Sequence, residues 1–239
     1  MLRDVSAEQH VRRGLEQTQR RYQAIFEGTG TALCVLDLSD LHSHLQAQPS
    51  SMDVGQVLLA NGSRHYFASS LACGFDAAAG AQVGQMPARL PGLLRYALAA
   101  LGQFARLRSY GLRWAVDGAP PQPAQVLLAS CLNTPTYASG MLLAPQARVD
   151  DGRLQLVMAQ SQGLLPTLLL FARLLAGGRH VGAAAVQMQA GQDLHLQALD
   201  EALPVLLDGE YQPQQSDLHI SVLPGALAVL RAKALRGAR

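Results

Sequence analysis

Hydrophobic and polar residues alternate along this chain in two rhythms, one near its start and another from residue 54 onward. Over residues 6–27, Leu15, Tyr22, Ile25 and Phe26 form a stripe near helical spacing, with Glu and Arg on the opposite face, so a helix is expected there. It stops at Gly28-Thr29-Gly30, after which Ala32-Leu33-Cys34-Val35-Leu36 reads as a short buried strand. The polar stretch 46–51, with Pro49 inside it, resembles a linker and sets a boundary near residue 50. From Val54 the pattern changes to short apolar runs cut by Gly, Pro, Asn and Asp, the mark of an antiparallel β-rich domain. Strands are expected at 55–60, 64–71, 110–117, 124–132, 153–159, 182–189, 193–199, 204–208 and 218–223. Two segments depart from that rhythm. Residues 91–108 carry Leu94, Leu98, Leu101 and Phe104 or Ala105 on one face, and 164–176 behaves alike, so both should be helices packed on a sheet. The expected fold class is α+β: a predominantly antiparallel, β-sandwich-like domain with a few packed helices over 51–239, preceded by a helix-bearing segment over 1–50.

Composition narrows the function classes. With 49% hydrophobic and 15% charged residues over 239 positions, the chain can bury one substantial core or two modest ones. A formal charge of +2, with basic residues scattered rather than interleaved with aromatics, argues against nucleic acid as a partner. Cys34, Cys73 and Cys131 are odd in number and outside any CxxC spacing, which disfavours a disulfide framework and a structural zinc site and fits a reduced cytoplasm. Residues 1–23 are polar and of mixed charge, where a signal peptide would need an apolar stretch. The most apolar run, 164–176, is too short to span a bilayer and contains Arg173; it reads as a core-facing helix able to lie near a membrane surface.

Two acidic tracts could carry chemistry. In a strand ending at Asp208-Gly209-Glu210 the side chains of 208 and 210 would point the same way, and Gly209 would let a ligand approach. A carboxylate so placed could accept the proton of a hydroxyl attacking a γ-phosphate. Asp-Gly is also a common hairpin dipeptide, and a plain turn fits the same residues. Asp150-Asp151-Gly152 offers oxygen ligands for Mg²⁺ or Ca²⁺ on a tight loop, with a solvated turn as the competing reading. Asp76 reads as a residue near a helix start, and Asn133 to Gly140 as a polar loop of the kind that often bears binding groups. His42 and His44 are two apart without a partnering cluster, and His65, His180, His195 and His219 stand isolated, so surface histidines are expected rather than a metal site. Neither GxSxG, nor a Walker loop, nor a dinucleotide fingerprint is present.

Six tracts in order over residues 52–239 resemble the C-terminal domain of the diacylglycerol kinase-like, YegS-type bacterial lipid kinases, relatives of the sphingosine kinases. They are MDVGQV at 52–57, HYFASSLACGFDA at 65–77, LPGLLRYALAAL at 90–101, ASCLNTPTYASGMLLAPQARVDDGRLQLVMA at 129–159, LDGE at 207–210 and LHISVLPGAL at 218–227. The resemblance implies a β-rich domain closing over an ATP-binding domain, with phosphate passing from ATP to a lipid hydroxyl such as that of diacylglycerol. It implies Glu210 as proton acceptor, with Asp208 supporting it in a magnesium and water network. It also implies Mg²⁺ held by the Asp151 side chain and the carbonyl oxygens of Arg148 and Arg153; carbonyl ligands are indifferent to the side chain they belong to. These kinases carry a GGDGT-type motif in an N-terminal α/β domain, and nothing of that kind precedes residue 52. A nucleotide-binding domain acting in trans is therefore the implied partner, beside the lipid substrate. Residues 1–47, through RRYQAIFEGTGTALCVLDLS, resemble the junction into a PAS sensor domain. Two further readings stay open: a non-catalytic lipid- or partner-binding module, and a truncated kinase remnant fused to a sensor fragment.

Overall fold

The computed structural model describes residues 48–87, 98–99, 102–104, 107–137, 140–160 and 162–231. The helix expected over 6–27, the strand over 32–36, the PAS-like junction, Cys34, His42 and His44, and most of the LPGLLRYALAAL tract lie outside them. The chain divides into two compact units, 1–48 with 230–239, and 49–229.

Two six-stranded antiparallel sheets make up the second unit, as expected from the pattern of short apolar runs. The first, sheet A, has the order β2-β1-β12-β9-β4-β5, and the second, sheet B, the order β11-β10-β3-β6-β7-β8. In chain order the strands are β1 (Gln48–Leu59), β2 (Arg64–Phe67), β3 (Ser70–Gly74), β4 (Tyr110–Val116), β5 (Gln122–Val126), β6 (Leu128–Leu132), β7 (Leu154–Ala159), β8 (Val186–Gly191), β9 (Asp193–Ala198), β10 (Leu203–Leu207), β11 (Glu210–Gln215) and β12 (Asp217–Arg231). Helix α1 (Phe75–Gln85) follows β3, and α2 (Leu164–Leu175) follows β7. Residues 98–99 and 102–104 are helical within the expected 91–108, and that helix has ended by Leu107, whose φ is +32°.

One core lies between the sheets. It joins Val57, Leu112, Leu196, Leu218 and Ile220 of sheet A to Leu71, Cys131, Leu156, Val205 and Leu207 of sheet B. The two sheets differ on their outer faces. On sheet B, Ala72 and Leu206 are covered by Ala77 of α1, and Leu132 and Val157 by Leu143, Ala144 and Ala147 with Leu174 of α2. β3, β7 and β10 are thus buried at every position, which is why they read as continuous apolar runs. Sheet A is solvated outside, and β9 alternates accordingly, with Leu194 and Leu196 inside and polar residues between them.

Four expectations about elements change. The run 64–71 is two strands, because the chain leaves sheet A at β2 and enters sheet B at β3, crossing at Ala68-Ser69. The run 124–132 divides for the same reason at Leu127, whose N–H donates to the Ala159 carbonyl while its own carbonyl accepts from Phe75 N–H. Alternation of side chains continues across a sheet switch, so the pattern alone cannot reveal one. β11, absent from the expected strands, is polar and contains Pro213; it is an edge strand, where a missing N–H and a solvated face cost little. β1 begins at Gln48, inside the stretch that resembles a linker, and tolerates Pro49 near its start.

Candidate active site

Asp208 and Gly209 form a two-residue hairpin loop between β10 and β11, with Leu207 paired to Glu210. Both have positive φ, +45° and +92°, as a type I′ turn requires, and Asp is among the few side chains that accept that geometry. The strand therefore ends at Leu207, and 208 and 210 are not successive same-face positions. The turn is nonetheless held tightly. Asp208 Oδ1 accepts from Ser69 N–H at 2.9 Å and Ser70 N–H at 2.8 Å, and Oδ2 from Ala68 N–H at 2.6 Å. Its own N–H donates to the Ser70 carbonyl at 2.9 Å. Three of about four carboxylate lone-pair sites are engaged by the backbone at the crossing between sheets. Glu210, two residues further on, is exposed at the head of β11.

The Asp150-Asp151-Gly152 loop is fastened from below by Asp53, a carboxylate 2% exposed on β1. Asp53 Oδ2 accepts from Gly152 N–H at 2.6 Å and Oδ1 from Gly225 N–H at 2.8 Å, while its own N–H donates to the Val149 carbonyl at 2.7 Å. One side chain thus ties the loop to the Pro224-Gly225 bend of β12. Gly152 and Gly225 both take positive φ, +68° and +60°, which lets the two backbones turn toward the same carboxylate. Asp151 is exposed, and its Oδ1 accepts from Arg153 N–H at 3.1 Å. The flanking guanidinium groups point elsewhere: Arg148 to Asp150 Oδ1 at 3.4 Å, Arg153 to the Ala190 carbonyl at 3.0 Å. One carboxylate with two backbone carbonyls is an all-oxygen donor set, which fits a hard cation such as Mg²⁺ with waters completing its shell.

Asn133 connects the two assemblies. Its side-chain amide donates to the Asp53 carbonyl at 2.7 Å and the Ala68 carbonyl at 2.9 Å, and its N–H donates to the Ser69 carbonyl at 2.8 Å. A continuous chain of hydrogen bonds thus runs from the acidic loop through Asp53, Asn133 and Ala68 to Asp208. Sequence pattern places Asn133 in a binding loop but does not single out Asp53. The available signal is a carboxylate in the otherwise alternating run MDVGQV, where an inward charge needs buried donors.

Asp76 lies in the first turn of α1, where the N-cap position belongs to Gly74. It accepts from the Ser130 hydroxyl at 2.9 Å and from Ala77 N–H at 3.1 Å. Desolvation outweighs these bonds and pushes its carboxyl up to about 6. Because the folded chain holds this proton more tightly than the unfolded chain, Asp76 contributes most stability below about pH 3.8, and that contribution is lost as pH rises to about 6. Asp76→Asn should therefore gain stability relative to the wild type as pH rises from 4 to 7, by roughly 2–3 kcal/mol. Thermal melts of both proteins across that range check this; a difference independent of pH refutes it.

A family model described as the YegS C-terminal NAD kinase beta sandwich-like domain matches residues 69–231. A curated diacylglycerol kinase of Mycobacterium tuberculosis is 32% identical over 185 residues, covering 77% of this chain and 58% of the relative. The chain thus spans under two thirds of that protein's length. Among solved structures, a putative diacylglycerol kinase from Bacillus anthracis superposes with a TM-score of 0.54 at 18% identity, over 76% of this chain and 56% of the other. A second from the same organism gives 0.51 at 17% identity, over 76% and 57%. At those identities the structural likeness concerns the fold.

Proposed function

The chain belongs to the family of the YegS C-terminal NAD kinase beta sandwich-like domain, and from that premise we propose that it is the substrate and metal-loop part of an ATP-dependent lipid kinase. Its substrate would be a lipid carrying a free hydroxyl, such as diacylglycerol, and the nucleotide would be held by a GGDGT-type domain. The observation that carries the reading is the hydrogen-bonded chain from Asp208 to the Asp151 loop, which unites the two acidic tracts on one framework. In this reading Glu210 accepts the proton of the lipid hydroxyl as that oxygen bonds to the γ-phosphorus and the bond from phosphorus to the ADP oxygen breaks. Asp208 acts as a positioning residue: its bonds to 68–70 fix the turn from which Glu210 projects, leaving about one lone-pair site for a water. The Asp151 carboxylate and the Arg148 and Arg153 carbonyls would hold Mg²⁺, which when bound neutralises negative charge near the transferring phosphoryl group.

No helix among the described residues is long and apolar enough to cross a membrane. α2 instead supports peripheral attachment to a bilayer surface. Leu165 is 78% exposed and Leu169 55%, with Leu164 and Leu168 beside them, while Thr167 is buried beneath. Such a run of leucines costs little at a lipid surface and much in water.

The test is ATP-dependent phosphorylation of diacylglycerol in vesicles by the full chain, with and without an added GGDGT-type domain. Product is expected only with that domain, and Glu210→Gln should reduce the rate roughly 10²-fold without altering vesicle binding. Failure to form product under both conditions defeats the kinase reading. Vesicle binding that persists without any phosphotransfer favours a lipid-binding module.

A further inference from the structure

We propose that the solvated face of sheet A carries a binding site for a divalent transition metal of the zinc class, made by His195, Asp217 and His219. In sequence the two histidines stand 24 positions apart and look isolated. The sheet brings them together. Asp217 and His219 are two residues apart on β12 and share its outer face, while Leu218 and Ile220 point into the core. β9 runs antiparallel beside β12, and its His195 is the register partner of His219.

The resulting geometry converges on one carboxylate. His195 Nε2 lies 2.6 Å from Asp217 Oδ1, and His219 Nε2 lies 3.1 Å from Asp217 Oδ2. The imidazoles stack with ring centroids 4.1 Å apart and planes 11° from parallel. One potential ligand atom from each residue lies within 4.8 Å of the other two. Bonds of about 2.0–2.2 Å to a tetrahedral ion separate ligand atoms by roughly 3.3 Å, so an ion can replace the protons between these groups once the two rings rotate out of their stack to aim their nitrogens at one point.

Three features favour a metal over a hydrogen-bonded surface cluster. Two imidazoles and one carboxylate form an N₂O set suited to Zn²⁺ and its neighbours in the first transition row, unlike the all-oxygen Asp151 loop. The ligands stand on two adjacent interior strands of sheet A, paired over five successive residues, so the backbone that carries them is already ordered and only side chains must turn on binding. The side chains are one-third to just over one-half exposed, leaving water or a small anion access to an open coordination position. The ion would also bridge β9 to β12, so its binding should raise thermal stability by mass action.

The experiment uses the full chain without an affinity tag, stripped with a chelator and titrated with ZnCl₂ against a chromophoric competitor. One equivalent should bind at the site, survive excess MgCl₂, and raise the melting temperature. His195→Gln, Asp217→Asn and His219→Gln should each weaken binding more than about tenfold, since even residues that only orient a ligand contribute that much. His42→Gln/His44→Gln should bind like the wild type, separating this site from the other closely spaced histidines. Circular dichroism matching the wild type verifies that each variant is folded. Sub-stoichiometric binding by the wild type overturns the proposal, as does unchanged affinity in a folded His195→Gln/His219→Gln double variant.

Discussion

Asp208→Ala is expected to unfold at markedly lower urea than the wild type, with a loss of about 3–5 kcal/mol, even though the side chain sits in a surface turn. Three backbone N–H groups at 68–70 lose a charged acceptor, each bond being worth roughly 1.5–3 kcal/mol before compensation by water. Alanine must also take up a φ of +45°, at a further cost of about 1 kcal/mol. Asp208→Asn tolerates that φ and keeps one acceptor oxygen, so its loss should be smaller, about 2 kcal/mol. Hydrogen exchange supplies the local readout: the amides of Ala68, Ser69 and Ser70 should lose protection first. A midpoint for the alanine variant within error of the wild type would show that water replaces the carboxylate without penalty.

The second large effect is expected at Asp53. Its carboxylate is 2% exposed and receives the N–H groups of half-buried Gly152 and exposed Gly225, so Asp53→Ala removes two charge-assisted hydrogen bonds and leaves a small cavity under the loop. A loss of about 3–4 kcal/mol follows, with the exchange of Gly152 and Gly225 amides accelerated beyond that of the core strands. Asp53→Asn retains one acceptor and should lose about half as much. If Asp53→Ala melts like the wild type, the acidic loop and the β12 bend are held by something other than this side chain. Because Asn133 bonds to both the Asp53 and Ala68 carbonyls, the Asp53 and Asp208 substitutions should not be additive.

These two carboxylates mark where local pattern stops being informative. Asp208 is visible in the sequence as part of an acidic tract, but a strand reading sets it beside Glu210 as a partner in chemistry. The structure makes it the acceptor that secures a crossing between sheets. That role depends on residues 138–140 positions away, which no local window contains. Asp53 escapes notice in the sequence for the same reason: its partners are 99 and 172 positions distant. His195 and His219 look isolated along the chain, and only the β9–β12 register makes them neighbours.

Local pattern is enough for whatever depends on near neighbours in the chain. The apolar runs set the antiparallel sandwich because burial of alternate or successive side chains is a property of each strand and its covering layer. The Asp-Gly dipeptide foretells a turn because its backbone preference is intrinsic. Tertiary structure alone decides which strands switch sheets, which carboxylates meet buried amides, and which histidines face each other. Pairing register and loop closure join distant residues through free energies summed over the whole fold, and no stretch of sequence carries that sum.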